Sequence, residues 1–173
     1  MEQNTCILIP LTGMEWNGQV IHFGDDREAV EQILGAPEAV RGTHCYYFKS
    51  ELRFDFDAEG KLEFIECLGG MDGSFQPEIY GVSAFQIEAA ELLELLKQRN
   101  DGPVDDSEAG YSYSFLNTSV GVYREITPED VNGMLREMLN MDLTQIGSID
   151  VEQEKKKAHH WATVGIGKKD YYA

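Results

Sequence analysis

The feature that most constrains the fold is a helical pattern followed by β-hairpin patterns, which occurs twice, over residues 24–68 and 82–167. Apolar residues recur every three or four positions in the helical parts and every second position in the hairpins. Because antiparallel strands with helices on one face form the α+β class, the sequence predicts an α+β tandem repeat. The expected units, residues 1–76 and 77–173, pack as one structural domain, and an extra helix is inserted near residues 127–141.

The first unit begins with two strand patterns, CILIP and GQVIHF, before its helix. Asp25 or Asp26 can cap this helix, and the apolar residues that follow have helical spacing. Gly35 and then Pro37 predict its end. From Thr43 onward the period changes to two, which predicts a β-meander.

The second unit begins with the strongest helix pattern of the chain, within GVSAFQIEAAELLELLKQRN, for which Ser83 is the expected N-cap. Strands are expected in YSYSFLNTSVGVYRE and WATVGIG. Between them, Thr127 is the expected cap of the inserted helix and Pro128 its first residue. The polar stretch VEQEKKKAHH is expected to be a connection to the last strand.

The stretch DFDAEGKLEFIE, residues 55–66, matches the spacing of an EF-hand calcium loop. An EF-hand requires helices on both sides, whereas the flanks here have the period-two pattern of strands. The alternative is a hairpin with a three-residue loop, Ala58 to Gly60, in which Gly60 takes a positive φ. The flanks favour the hairpin.

Continuing the register of that hairpin pairs Phe56 with Leu62 and Phe54 with Phe64 on the buried face, where Glu66 is also expected. The opposite face is then charged and consists of Arg53, Asp55, Asp57, Lys61 and Glu63.

The net charge of −17 argues against nucleic acid and anionic membranes as partners, because phosphate would be repelled. The first residues lack a positive region, and Pro10 interrupts their apolar stretch, so no signal peptide is predicted. The three cysteines, Cys6, Cys45 and Cys67, lie far apart and are expected as buried free thiols. Together these features predict a cytoplasmic protein.

Sequence motifs for catalysis or cofactor binding are not found. The four histidines do not have the spacing of a zinc site, and Gly165-Ile166-Gly167 lacks the helix that a dinucleotide-binding loop requires. The sequence therefore predicts no catalytic residue, cofactor or metal, and favours a protein that is not an enzyme. An enzyme or small-ligand protein with a pocket between the two units is the alternative.

A protein partner is expected to be basic, because acidic clusters recur along the chain. Exposed aromatic residues would anchor such an interface, with Trp16 and Tyr123 among the aromatic candidates. The predicted partner-binding residues are Asp25, Asp26, Asp55, Asp57, Glu63, Asp105, Asp106, Tyr111 and Tyr113.

The segments FGDDREAVEQILGAPE, YYF and ELRFDFDAEGKLEFIE, with the closing DYY, resemble a loose group of bacterial cytoplasmic proteins. The resemblance runs from about Ile21 to Tyr172. Such proteins look like the helix-plus-hairpin modules of β-lactamase inhibitor proteins and outer-membrane assembly lipoproteins, and some are thought to be immunity proteins beside bacterial toxins. The resemblance therefore implies a non-enzymatic inhibitor that occludes a protein partner. The signal peptide and disulfide pair of the secreted relatives are not seen in this sequence.

Overall fold

Five short strands form the smaller of two β-sheets in the computed structural model, which describes residues 5–141 and 150–173. In chain order they are β1 (Cys6–Ile9), β2 (Gly13–Trp16), β3 (Gln19–His22), β8 (Glu78–Ile79) and β9 (Val82–Ser83). Their spatial order is β3-β2-β1-β8-β9, and β1 pairs with β8 in parallel. The strands predicted in CILIP and GQVIHF are confirmed as β1 and β3, while β2 lies in the segment expected to connect them.

Eight strands form the larger sheet, and every neighbouring pair is antiparallel. The first half of the chain supplies β4 (Ala39–Arg41), β5 (His44–Tyr47), β6 (Leu52–Phe56) and β7 (Leu62–Cys67). The second half supplies β10 (Val104–Asp105), β11 (Ser112–Phe115), β12 (Val120–Tyr123) and β13 (Thr163–Gly167). The spatial order is β10-β11-β12-β13-β7-β6-β5-β4, so β13 and β7 join the two halves.

Helix α1 (Arg27–Leu34) and helix α3 (Pro128–Met138) begin with the predicted caps. The Asp26 side chain accepts a 2.9 Å hydrogen bond from the backbone N–H of Ala29. Thr127 and Asp130 form a capping box at the start of α3, which confirms a helix in the predicted insertion. Gly35, with φ +82°, ends α1 as predicted.

Helix α2 (Ala89–Asn100) begins later than the sequence predicts, and Ser83 is not its N-cap. Ser83 belongs to β9, and the buried Ala84 and Phe85 follow it in a turn. The first N–H of the helix, at Ala89, donates instead to the carbonyl of His159 at 2.7 Å. Packing of the intervening apolar residues into the core therefore overrides the local capping signal.

Helix α4 (Val151–Ala158) occupies most of the polar stretch that was expected to be a connection. Asp150 caps it by accepting from the N–H of Gln153, and Lys155 and Lys157 lie 3.7 and 3.8 Å from glutamates three positions earlier. Only Ala158 of this helix is buried. A cap and local charge pairs stabilise this helix. Its sequence therefore lacks the apolar stripe from which a helix is usually predicted.

Strands β6 and β7 confirm the hairpin interpretation of residues 55–66, because strands rather than helices flank the loop. Gly60 has φ +76°, and the N–H of Asp57 donates to the carbonyl of Lys61 at 2.8 Å. The predicted register is wrong beyond the first pair. Phe56 pairs with Leu62, but the ladder then skips Glu63 in a β-bulge, and Asp55 pairs with Phe64.

The bulge moves every later residue of β7 to the opposite face from the one predicted. Phe54 pairs with Ile65 rather than Phe64, and Arg53 pairs with Glu66. Glu66 therefore lies on the outer face with Arg53, not in the core.

The core lies between the inner face of the larger sheet, the smaller sheet and the apolar faces of α1 and α2. It contains residues of both halves of the chain, among them Leu8, Phe54, Leu92 and Val164. The predicted α+β class is confirmed. Within the described ranges, no helix has the length and apolar character needed to cross a membrane.

Candidate protein-binding face

The outer face of the larger sheet carries polar and aromatic side chains. Directly paired residues lie on the same side of a sheet, so one row can be followed across all eight strands. From β4 to β10 this outer row contains Ala39, Tyr46, Arg53, Glu66, Gly165, Gly121, Ser114 and Asp105. Two of the predicted partner-binding residues, Asp55 and Asp105, therefore share this face.

An ion-pair network fixes the centre of the outer face. Arg53 donates from Nε to Asp55 Oδ1 at 2.8 Å and from Nη2 to Oδ2 at 3.1 Å, while its Nη1 lies 3.8 Å from Glu66 Oε1. His44 Nδ1 lies 2.6 Å from Asp55 Oδ1. Asp55 is only 5% exposed, so this carboxylate is paired rather than presented to solvent. The bidentate geometry holds the Arg53 fork in one orientation.

Burial and neighbouring charge shift the pKa values of Arg53 and Glu66 in opposite directions. Burial lowers the pKa of Arg53, but the hydrogen bond and charge of Asp55 outweigh it, so the pKa is raised. Burial raises the pKa of Glu66, and the guanidinium of Arg53 offsets part of that rise. Asp55 therefore stabilises the Arg53 cation, whereas burial disfavours ionisation of Glu66.

The last residues of the chain fold back over the same face. The ring of Tyr171 stacks on that of Phe64, with centroids 4.5 Å apart and planes 9° apart, and Tyr172 meets Phe64 edge-on at 6.0 Å. Burial raises the pKa of both tyrosines. Phe64 faces outward yet is buried, because these two rings cover it.

Two paired glycines make the space for this aromatic cover. Gly121 of β12 pairs directly with Gly165 of β13. A Cβ at Gly121 would overlap the hydroxyl of Tyr172, and a Cβ at Gly165 would lie 2.5 Å from the ring of Phe64. Because neither glycine has a side chain, a shallow slot is left above this pair, and it receives Tyr172.

Four of the predicted residues gather near the tip of the β6–β7 hairpin. Lys61 forms an isolated antiparallel bridge with Asp26, and the carbonyl of Asp25 accepts from the N–H of Leu62 at 2.8 Å. Lys168 lies 3.8 Å from Asp57 Oδ2 and 3.6 Å from Glu63 Oε2.

Most of these carboxylates have structural tasks. Asp26 caps α1, and the Asp25 side chain accepts from the N–H of His22 at 2.9 Å. Asp57 accepts from the N–H groups of Glu59 and Lys61, each at 2.9 Å, and these bonds lower its pKa. These carboxylates therefore stabilise the turns near the tip of the β6–β7 hairpin, in addition to contributing negative charge.

The other four predicted residues lie towards the opposite edge of the sheet, around β10 and β11. Asp105 accepts from the N–H of Ser107 at 3.0 Å, and Asp106 is exposed. Tyr111 is 38% exposed and donates its hydroxyl to Asp130 at 2.7 Å. Tyr113 points to the core side instead, where its ring meets Trp161 edge-on at 5.9 Å.

The structure thus does not bring the predicted partner-binding residues into one patch, and the expectation that Trp16 is exposed is wrong. Trp16 is buried against Phe48 and Phe75, so it is not an exposed anchor. Tyr123 is confirmed as exposed on the outer face, at 42%.

The sequence prediction missed several outer-face residues, namely His44, Tyr46, Glu66, Tyr171 and Tyr172. The two tyrosines had a signal in the closing DYY motif. The His44–Asp55 contact had none, because it depends on the register between β5 and β6.

A cleft of about 630 Å³ is a second candidate site. It lies between the Leu68–Asp72 loop of the first half and residues 124–130 and 154–162 of the second half. Arg124 donates to the carbonyls of Gly110 and Ala158 at 2.6 and 2.7 Å, and its guanidinium carbon lies 4.7 Å from the Trp161 ring centroid. His160 Nδ1 lies 2.6 Å from the carbonyl of Lys156. The contacts of these two side chains are thus structural.

No three histidine, cysteine, aspartate or glutamate side chains within residues 5–141 and 150–173 group closely enough to hold a metal ion. No family model, curated protein or solved structure matches the chain. The candidate sites therefore depend on the geometry alone.

Proposed function

We propose that this chain is a non-enzymatic binding protein that occludes a basic protein partner, in the manner of an immunity protein that blocks a toxin. The observation that carries the proposal is the outer face of the larger sheet, where a fixed ion-pair network and several tyrosines share one continuous surface. Tyrosine and arginine are the residue types that most often dominate binding energy at protein interfaces.

Preorganisation of this face favours tight binding. The Arg53 fork is already held by Asp55, and Arg41 lies 5.8 Å from the ring centroid of Tyr46. Side chains that are fixed before association lose less conformational entropy when a partner docks. The rings of Tyr46 and Tyr123 would therefore act as anchors on either side of the centre.

The charge of the whole chain supports a basic partner. A net charge of −17 attracts a cationic protein over a distance of about one Debye length and raises the association rate. Carboxylates near the hairpin tip and around β10 would surround the sheet with negative potential. Three buried free thiols agree with a cytoplasmic site of action.

We also infer that the two halves are a tandem repeat. In each half, one helix precedes four strands of the larger sheet, β4 to β7 after α1 and β10 to β13 after α2. The two sets of strands meet at the antiparallel β7–β13 pair, so the order of one half mirrors the order of the other. Such a repeat would give one binding surface twice the width of a single unit.

Capture from the native host at two salt concentrations tests the proposed function. Immobilised chain is expected to retain a basic protein at low salt and to release much of it near 1 M salt, where the Debye length is about 3 Å. Recovery of no protein, or of a protein whose retention is indifferent to salt, would contradict the proposal.

A second candidate function is small-ligand binding in the cleft beside Arg124. Its volume of about 630 Å³ lies within the range of ligand pockets, and it lies between the two halves of the chain. A metabolite panel tests this by thermal shift, with Ile126→Trp as the variant that fills the cleft. A ligand that raises the melting temperature of the wild type but not of the variant supports this function, and an equal shift in both argues against it.

A further inference from the structure

The cleft between the two halves of the chain contains a half-buried arginine that has no ionic partner. Arg124 lines this cleft. Its Nε and Nη1 donate to the carbonyls of Gly110 and Ala158, and these bonds hold the guanidinium beside the Trp161 ring. Within the part of the chain that the structure describes, Nη2 has no hydrogen-bond acceptor and no carboxylate forms an ion pair with Arg124. One nitrogen of a fixed guanidinium is therefore left for a ligand.

A comparison with Arg53 shows what is missing at Arg124. Arg53 is also half-buried, but the carboxylate of Asp55 binds it in a bidentate manner, and its pKa is raised. At Arg124 the acceptors are neutral carbonyls, so burial lowers the pKa, and neighbouring acidic groups, Tyr113 first, offset only part of that fall. A cation that is partly removed from water is stabilised when an anion pairs with it. The surroundings of Arg124 therefore favour a bound anion.

The carboxylates of the cleft have partners other than Arg124. Those that line it are Asp72, Glu125, Asp130 and Glu154. Asp130 accepts from the hydroxyl of Tyr111 at 2.7 Å, and Asp72 accepts from the side-chain amide of Gln153 at 2.9 Å. Glu154 lies 3.8 Å from a lysine of its own helix, and Glu125 is exposed. Because these negative charges surround the cleft, they disfavour an anion with several charges and permit one with a single charge.

The rest of the cleft is suited to an apolar group. The side chains of Leu68, Met71 and Ile126 line it, and its volume of about 630 Å³ is much larger than a carboxylate group requires. The loop that carries Met71 also offers polar donors, because the N–H groups of Gly70 and Met71 donate to no acceptor among the described residues. A ligand with one anionic end and an apolar body fits this combination.

We propose that the cleft binds a small monocarboxylate with an apolar body, whose carboxylate accepts from Nη2 of Arg124 while the body contacts Leu68, Met71 and Ile126. The proposal rests on the second candidate function, ligand binding in this cleft, and adds the chemical class of the ligand. A hydrogen bond between a guanidinium and a carboxylate is about twice as strong as one between neutral groups. The carboxylate group should therefore dominate recognition.

Paired probes on the full wild-type chain test the class of ligand. Phenylacetate and isovalerate are titrated by calorimetry beside their amides, phenylacetamide and isovaleramide, and beside acetate, inorganic phosphate and phenethylamine. At least one of the two larger acids is expected to bind about tenfold more tightly than its amide, and more tightly than acetate or phosphate. Equal affinity of acid and amide, tighter binding of acetate, phosphate or phenethylamine, or no binding of either larger acid would overturn the proposal.

The variant Ile126→Trp separates failure of this proposal from failure of the candidate function on which it rests. If an amide or phenethylamine binds the wild type more tightly than the acids do, and the variant does not bind it, the carboxylate assignment is wrong but the cleft is a ligand site. If no probe and no member of the metabolite panel distinguishes the wild type from the variant, both are wrong.

Arg124→Gln tests the residue that is expected to hold the carboxylate. The affinity for the acid should fall about tenfold, while that for its amide changes little. Arg99→Gln is the matched control, because Arg99 also lies over an aromatic ring, 5.0 Å from the centroid of Tyr80, but outside the cleft. Unchanged affinity for the acid in Arg124→Gln, or an equal loss in Arg99→Gln, would overturn the proposal.

The melting temperature of Arg124→Gln is measured first, since this change also removes two hydrogen bonds to backbone carbonyls. If the variant does not fold, Ile126→Trp replaces it, because that change keeps both bonds and fills the space for the apolar body. Loss of acid binding in Ile126→Trp is the expected result, and retention of the wild-type affinity would overturn the proposal.

Discussion

Two neighbouring rows of residues cross the same eight strands, and they differ completely in chemistry. The inner row is apolar at every position and consists of Val40, Cys45, Phe54, Ile65, Ile166, Val120, Phe115 and Val104. The outer row contains Arg53 and Glu66 as an ion pair, two paired glycines, and polar or small residues at the edges. One sheet thus has an apolar face towards the core and a polar, aromatic face on the other side.

If the outer face binds the proposed partner, this contrast separates stability from binding. Removing an inner side chain leaves a cavity in a packed core, whereas an outer side chain can be lost with less disturbance of that core. The following predictions test the separation, beginning with the largest expected effect on the free energy of unfolding.

Phe54→Ala is expected to cost about 3–5 kcal/mol, because Phe54 is fully buried on the inner row. Phe64→Ala should cost less, since the covering rings of Tyr171 and Tyr172 can move towards the vacated space. Urea denaturation measures both values. Equal losses in the free energy of unfolding would show that the two faces are equally rigid.

Asp55→Ala is expected to cost about 2–3 kcal/mol, because it leaves the half-buried Arg53 without its bidentate partner. The same change in an Arg53→Met background should cost markedly less. A double-mutant cycle from denaturant unfolding gives the coupling, and additive losses would mean that the network does not act as a unit.

Gly121→Ala is expected to destabilise the fold by about 1–2 kcal/mol, because the new methyl group displaces the Tyr172 ring from its slot. Gly133→Ala in helix α3 is the matched control, where the added Cβ meets open space and should stabilise the helix slightly. Thermal unfolding of both variants is the measurement. A shift of the same sign in both would argue against a specific slot.

Alkaline pH should loosen the aromatic cover. The pKa of Tyr172 is raised by burial, so its contribution is fully present below about pH 10 and is lost as pH rises above that value. The expected loss is about 1 kcal/mol by pH 11. Tyr172→Phe removes the ionisable hydroxyl and should flatten the stability curve in this range, and an unchanged curve would contradict the assignment.

The sequence was sufficient to predict the elements whose signals are local. The Gly60 turn, the Asp26 and Thr127 caps and the α+β class follow from residue chemistry over short segments. Helix α4 was missed because its stabilising contacts are charge pairs, and Ser83 was misassigned because core packing delays the start of α2.

The outer face was harder to predict because it depends on contacts between distant segments. A single bulge at Glu63 decides whether Phe64 and Glu66 face inward or outward. Nothing near Glu63 in sequence indicates that Tyr171 will return to cover Phe64. A bulge that is coupled to the end of the chain cannot be inferred from period-two alternation alone.

Tyr123→Ser gives the smallest expected effect on stability and the most direct test of binding. Tyr123 is 42% exposed on the outer face, and Leu11, 44% exposed at the β1–β2 turn, is a matched control outside the larger sheet. Each of Tyr123→Ser and Leu11→Asn should change the free energy of unfolding by less than about 0.5 kcal/mol.

The central claim is that the outer face binds a protein partner, and retention of the captured partner by these two variants measures it. If the claim holds, Tyr123→Ser loses at least about tenfold in affinity, as expected for an interface anchor, while Leu11→Asn retains the partner as the wild type does. Equal retention by both variants, or selective loss with Leu11→Asn, would contradict it.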